Sequence, residues 1–142
     1  MKRLYLDLKR FDVPRALGGV SDYAAADYGA AIVRATEDAL AGWRGAALFT
    51  QFFPEAHLPS ALAARRRADA VTIGCQGLHR EDVRPGGNFG AMTALRPAAA
   101  MRALGCGAAL IGHCEERREK RELMAAVCED AARVAEALDG TL

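Results

Sequence analysis

Four short strand-like runs alternate with four helical stretches along this chain of 142 residues, and no other feature limits the possible folds as much. The strands are predicted over residues 3–9, 46–50, 70–76 and 107–112, and the helices over 23–40, 58–68, 97–104 and 115–138. Strands that are separated by helices usually pair in parallel through right-handed crossovers. The sequence therefore predicts one α/β domain over residues 1–142 with a parallel sheet.

Local signals place some of the element ends. In the first run, Leu4, Leu6 and Leu8 fall on one face of a strand, and Tyr5, Asp7 and Lys9 fall on the other. Ser21 or Asp22 is expected to cap the first helix, and Pro59 suits the first turn of the second. Periodicity alone does not separate an open doubly wound sheet from part of a barrel.

Composition argues against several classes of partner. With 51% apolar and 26% charged residues, the chain has the make-up of an ordinary soluble protein. A net charge of +1 gives no electrostatic reason to expect a nucleic acid or a membrane surface as partner. No apolar run approaches the ~20 residues of a transmembrane helix, and the N-terminal sequence does not resemble a signal peptide. We expect a cytoplasmic protein.

The four cysteines carry no metal-site signature. Cys75, Cys106, Cys114 and Cys128 form no C-x-x-C pair, which is the usual spacing of zinc ligands. We expect four reduced thiols, no bound metal and no cofactor.

Four short motifs occur in an order that matches a known family. Residues 104–106 (L-G-C) and 110–117 (L-I-G-H-C-E-E-R) are similar to a helix ending L-G-C and a strand ending G-H-S-E-R-R. Residues 86–90 (G-G-N-F-G) resemble the loop G-A-F-T-G-E, Gln76 matches a strand-end glutamine, and Asp7-Leu8-Lys9 occupies the place of N-x-K. These are motifs of the triosephosphate isomerase family, which the chain resembles over essentially its whole length. The resemblance implies the N-terminal half of a TIM barrel, (β/α)4.

The resemblance also implies a reaction and residue roles. The family moves a proton between adjacent carbons of a triose phosphate, interconverting glyceraldehyde 3-phosphate and dihydroxyacetone phosphate through an enediolate. By position, His113 would be the electrophile, and Lys9 would supply positive charge to the phosphate and the developing oxyanion. Glu115 matches a glutamate that contacts this lysine. Asp7 and Gln76 fall with Lys9 among the substrate-binding positions.

Each of these residues also has a purely structural interpretation. His113 could be an N-cap or turn residue, and Lys9 a solvated lysine at a strand end or the ion-pair partner of Asp7. Glu115 could be a first-turn glutamate that the helix dipole stabilises. Cys114 adjoins His113, but sequence neighbours do not automatically form a nucleophile–base pair. We do not expect Cys114 to be catalytic.

The sequence departs from the family pattern at several positions. Asp7 replaces an asparagine, Cys114 replaces a serine, and Glu116 replaces an arginine. Residues 89–91 (F-G-A) stand where the family has T-G-E. That loop reaches into a partner subunit in the family, so the usual dimer contact is not expected here. The substitutions leave room for another phosphorylated sugar as the substrate.

The largest departure is length. The family's fifth strand would begin where this chain ends, at residues 139–142. We therefore expect strands five to eight to be absent, together with the glutamate base, the lid loop and the phosphate-binding loops. Glu55 and Asp82, in loops after predicted strands, are the candidate replacement bases.

A half-barrel leaves open strand edges, so we expect self-association, for example a homodimer that restores eight strands. Three functions remain open for such a chain. It could be an active isomerase, an inactive module that binds a phosphorylated ligand, or a truncated remnant of the family.

Overall fold

A computed structural model of the chain describes residues 1–87 and 89–120. The strands are β1 (Lys2–Asp7), β2 (Ala47–Phe53), β3 (Val71–Gln76) and β4 (Ala108–Leu110). The helices are α1 (Tyr28–Ala41), α2 (Leu58–Ala64), α3 (Ala98–Leu104) and α4 (Cys114–Lys120), with short 3-10 turns at Arg15–Leu17 and Glu55–His57. The remainder of the last predicted helix, residues 121–138, lies outside the described residues. Within the described part of the chain, no helix is both long enough and apolar enough to span a membrane.

The four strands form one parallel sheet in the order β1-β2-β3-β4. The register between the first two runs from Lys2 opposite Ala47 to Asp7 opposite Phe52. Strand order follows chain order without the reversal that creates the switch point of a doubly wound sheet. The topology therefore favours the barrel alternative that periodicity left open.

The chain divides into two compact units, Met1–Gly74 and a second that begins at Cys75. In the first unit, α1 packs against α2. Its fully buried apolar side chains include Val33, Phe53, Leu58, Val71 and Ile73. In the second unit the buried apolar side chains include Cys75, Leu78, Met101, Cys106 and Ala108. Apolar residues of strands and helices thus form a core in each unit, as the alternating pattern predicted.

The first helix begins five residues later than predicted, at Tyr28. Ser21 does accept a hydrogen bond from a nearby backbone, but the donor is the N–H of Tyr23 at 3.1 Å, and it closes a tight turn. A second turn follows, in which the N–H of Asp27 donates to the carbonyl of Ala24. The prediction that Ser21 or Asp22 caps the helix was wrong, because a short polar side chain favours turns as well as caps.

The second helix ends at Ala64, four residues before its predicted end. Arg65 is extended, and the N–H groups of Arg66 and Arg67 both donate to the Glu37 carboxylate at 2.6 Å. In a continuing helix those groups would donate to carbonyls one turn earlier. A carboxylate from α1 therefore replaces the last helical turn. Pro59 does occupy the first turn, as predicted.

The strand ends differ slightly from the prediction. β2 continues three residues further, because Gln51, Phe52 and Phe53 are all buried. β4 stops at Leu110, and Gly112 follows with φ of 71°, outside the range of extended backbone. This turn places His113 directly between the end of β4 and the start of α4.

Candidate functional site

In the first unit, Asp7 and Lys9 form an ion pair at the carboxyl end of β1. The Lys9 ammonium lies 3.0 Å from Asp7 Oδ2. The N–H of Leu8 donates to the carbonyl of Phe52, so pairing with β2 continues up to the lysine. The Lys9 side chain is 44% exposed and the Asp7 side chain is 32% exposed. An ion pair in such contact with water contributes little to stability. An anionic ligand could therefore compete with Asp7 for the ammonium at small cost.

In the second unit, His113 has its side chain held by the start of α4. The backbone N–H of Glu115 donates to His113 Nδ1 at 3.3 Å, and the side chain is only 12% exposed. An imidazole that accepts at Nδ1 carries its proton on Nε2 when neutral. This geometry therefore assigns the donor role of the neutral ring to Nε2–H. The carbonyl of His113 accepts the N–H of Arg117 at 3.0 Å, so the residue is also the N-cap that the structural interpretation proposed.

Glu115 lies in the first turn of α4 with its side chain 72% exposed. Its Oε2 lies 4.0 Å from His113 Nδ1. A carboxylate in this position is favoured by the partial positive charge of a helix N-terminus. The structural interpretation of Glu115 is thus supported, and it leaves the carboxylate accessible.

Gln76 ends β3, and Gly77, the residue after it, takes part in a contact that the sequence did not predict. Gly77 has φ of 100°, and its carbonyl accepts Arg96 Nε at 3.2 Å. Arg96 also lies 3.6 Å from Glu116 Oε1. A Cβ on Gly77 would lie 2.3 Å from that same oxygen. Glu116 is therefore the partner of Arg96 and packs over the glycine that follows Gln76.

A buried polar cluster in the first unit also escaped sequence reasoning. His57, which is fully buried, follows β2, and the Asp12 side chain, 5% exposed, follows β1. His57 Nε2 lies 3.6 Å from Asp12 Oδ1, and His57 Nδ1 lies 3.1 Å from the carbonyl of Ala25. The ring of Tyr28 lies 4.9 Å from the imidazole. The cluster joins the loop after β1, the start of α1 and the loop after β2.

Arg10 keeps the Asp12 carboxylate of this cluster ionised. Its guanidinium donates to both carboxylate oxygens of Asp12, which lowers the pKa of Asp12 to about 2 despite the opposing effect of burial. Burial, with the negative charge of Asp12, raises the pKa of Tyr28. Asp12 is therefore an anion and Tyr28 a neutral phenol at ordinary pH. No short motif links residues so far apart in the chain, so the sequence held no signal for the cluster.

The two candidate replacement bases differ in their surroundings. The Asp82 carboxylate accepts the N–H groups of Val83 at 2.9 Å and of Ala99 at 3.1 Å. It therefore caps the start of α3. Glu55 lies on the 3-10 turn after Pro54 with an exposed side chain. The structure gives Asp82 a structural role and leaves Glu55 as the more accessible carboxylate.

In the described part of the chain, Cys75, Cys106 and Cys114 form no disulfide, while Cys128 lies outside the described residues. The hydrogen bond with Cys106, and then burial, raise the pKa of the Cys75 thiol, so it remains protonated. Among residues 1–87 and 89–120, no group of three or more His, Cys, Asp or Glu side chains could hold a metal ion.

This architecture is that of an α/β half TIM barrel, four parallel strands with helices, as predicted. A solved structure that it matches is the triosephosphate isomerase of Bartonella henselae, with a TM-score of 0.67 and 18% sequence identity. The match covers 96% of this chain and 48% of that chain, so this chain spans about half the length of the structure. No family model and no curated protein matches the sequence. At this identity the likeness establishes the fold.

Proposed function

We propose that the chain binds a triose phosphate and takes part in the interconversion of glyceraldehyde 3-phosphate and dihydroxyacetone phosphate. The observation that carries the proposal is the hydrogen bond from the Glu115 N–H to His113 Nδ1. In the neutral ring it leaves the proton on Nε2, from which it can be donated to a carbonyl oxygen of the substrate. The motif around His113 and the half TIM barrel support the same assignment.

In this proposal each residue acts on charge that develops in the substrate. His113 Nε2–H donates to the carbonyl oxygen as it gains negative charge in the enediolate. The proton that leaves the adjacent carbon passes to a carboxylate base, for which Glu55 is the more accessible candidate. Lys9 exchanges Asp7 for the phosphate and the oxyanion, and Glu115 holds the His113 ring through its backbone N–H. Gln76 contributes to substrate binding. The reaction needs no metal or cofactor, and we propose a cytoplasmic homodimer as the working form.

A coupled assay with glyceraldehyde 3-phosphate on the 142-residue chain tests the proposal. We expect turnover that falls roughly 100-fold in His113→Ala, because a well-placed donor or acid contributes ~10²–10⁴-fold. Cys114→Ser changes the adjacent exposed residue to the one the family carries and should stay within about twofold of the parent, since the proposal gives this thiol no part in polarising the carbonyl.

Two results would contradict the isomerase assignment. One is a parent chain without turnover, and the other is a His113→Ala variant as active as the parent. If the parent chain shows no turnover but dihydroxyacetone phosphate raises its melting temperature, the alternative of a binding module is favoured.

A further inference from the structure

The strand β1 is exposed on both faces. Among the described residues it pairs only with β2, so it is an edge of the sheet. Leu4 and Leu6 are 48% and 49% exposed on one face, and Tyr5 is 60% exposed on the other. Natural proteins usually shorten, cover or bulge such an edge, because it accepts a strand from another chain. A six-residue edge of this kind favours association.

The hydrogen bonds to β2 decide which backbone groups of β1 point outward. The N–H of Lys2 donates to Ala46, and the N–H of Leu8 donates to Phe52. Backbone groups of successive residues alternate between the two sides of a strand. The even-numbered residues of β1 therefore face β2, and the N–H and C=O groups of Arg3, Tyr5 and Asp7 face the open edge.

The sequence of this edge is self-complementary when it is read against itself in reverse. Residues 3–7 are R-L-Y-L-D, so a leucine stands on each side of the central tyrosine and residues of opposite charge stand at the two ends. Antiparallel pairing centred on Tyr5 sets Arg3 opposite Asp7, Leu4 opposite Leu6 and Tyr5 opposite itself. The pairs Arg3–Asp7 and Tyr5–Tyr5 then consist of edge-facing residues, as a hydrogen-bonded antiparallel pair requires. The directions of the backbone N–H and C=O groups and the complementarity of the side chains thus favour the same register.

We propose that two copies of this chain associate through antiparallel pairing of their β1 strands, in the register centred on Tyr5. On one face, each Arg3 meets the Asp7 of the second copy on either side of a central pair of tyrosine rings. On the other face, Leu4 and Leu6 alternate across the junction. Asp7 keeps Lys9 on Oδ2, since a carboxylate accepts several donors. The contact is isologous, so the Arg3–Asp7 and Leu4–Leu6 pairs each occur twice and the pair of Tyr5 residues lies on the two-fold axis.

The other arrangement that would extend the sheet is pairing of β1 with β4 of a second copy. β4 is only three residues long, Ala108–Leu110, and carries no charge. It offers no partner to Arg3 or to Asp7, and it would leave half of the β1 edge uncovered. Charge complementarity and strand length therefore favour pairing of β1 with itself.

Charge exchange tests the register by sedimentation equilibrium of the 142-residue chain. We expect a dimer in the parent chain, and a dissociation constant raised roughly tenfold in Arg3→Asp, because two attractive cross-strand pairs become repulsive. Adding Asp7→Arg to that variant restores opposite charges and should return the constant to within about threefold of the parent, since opposite charges across a strand pair attract again. Lys2→Asp makes the same charge change outside the paired residues and should leave the constant within about twofold, since Lys2 has no charged partner in this register.

A second variant tests the backbone contact. Tyr5→Pro removes an N–H that faces the open edge and leaves the hydrogen bonds between β1 and β2 in place. The variant should therefore fold but should not dimerise. Circular dichroism checks the fold. The proposal is overturned if the parent chain is monomeric at about 100 μM, a concentration at which sheet-edge pairing should be populated. It is also overturned if Arg3→Asp dimerises like the parent, or if the double variant is no tighter than Arg3→Asp.

Discussion

Replacing Glu37 by alanine is expected to lower the free energy of unfolding by about 3 kcal/mol. Glu37 is fully buried and accepts the N–H groups of Arg66 and Arg67, with Arg66 Nε 3.2 Å from its second oxygen. Burial alone would raise the pKa of Glu37, but these donors outweigh it and hold the pKa below its usual value. Alanine would leave two backbone donors without an acceptor at the end of α2.

The neighbouring Asp38 provides a matched control. It binds the guanidinium groups of Arg66 and Arg67, at 3.3 and 2.9 Å, but its side chain is 62% exposed. Asp38→Ala should therefore lower the free energy of unfolding much less than Glu37→Ala does. Urea denaturation followed by circular dichroism measures both variants. If both variants lost the same free energy of unfolding, the surface ion pairs, and not the buried carboxylate, would hold α2 to α1.

Replacing Gly29 by alanine should lower the free energy of unfolding by about 2–3 kcal/mol. A Cβ at this position would lie 2.3 Å from the carbonyl oxygen of His57, 2.7 Å from Ser60 Oγ and 3.0 Å from the N atom of Ala61. Two of these atoms belong to the backbone, so α1 and α2 must move apart. The higher helix propensity of alanine, worth about 1 kcal/mol, only partly offsets this.

Gly45→Ala is the control for Gly29→Ala. A Cβ on Gly45 meets nothing within 4 Å, so its substitution changes the chain entropy without forcing a shift. Thermal unfolding should separate the two variants, with the Gly45 variant at or slightly above the parent. A Gly29 variant as stable as the parent would contradict the close packing of α1 on α2.

The sequence predicted the order of elements because strand and helix signals are local. Apolar alternation located β1, and a buried run located β3, each within about two residues. The end of α2 could not be predicted in this way, because it is set by Glu37, which lies on another helix and whose partners are backbone groups. The start of α1 was misplaced for a different reason, since Ser21 has the same short-range signal for a turn as for a cap.

In the candidate site, too, local features were predictable from the sequence and contacts between distant residues were not. The ion pair of Asp7 and Lys9 was foreseeable, because residues two apart share one face of a strand. The position of His113 between β4 and α4 was foreseeable from a motif. The contacts of Asp12 with His57, and of Arg96 with Glu116, were not, because each joins residues that only the folded backbone brings together.

Histidine-selective isotope-labelled NMR of the 142-residue chain is the most direct test of the role assigned to His113. The chain has three histidines, and ring nitrogen shifts identify the tautomer of each. We predict that the neutral His113 ring carries its proton on Nε2, and that its signals shift on addition of dihydroxyacetone phosphate. His57, buried against Asp12 and Tyr28, should not respond. A ring that carries its proton on Nδ1, or His113 signals that stay unchanged at saturating ligand, would contradict the proposed function.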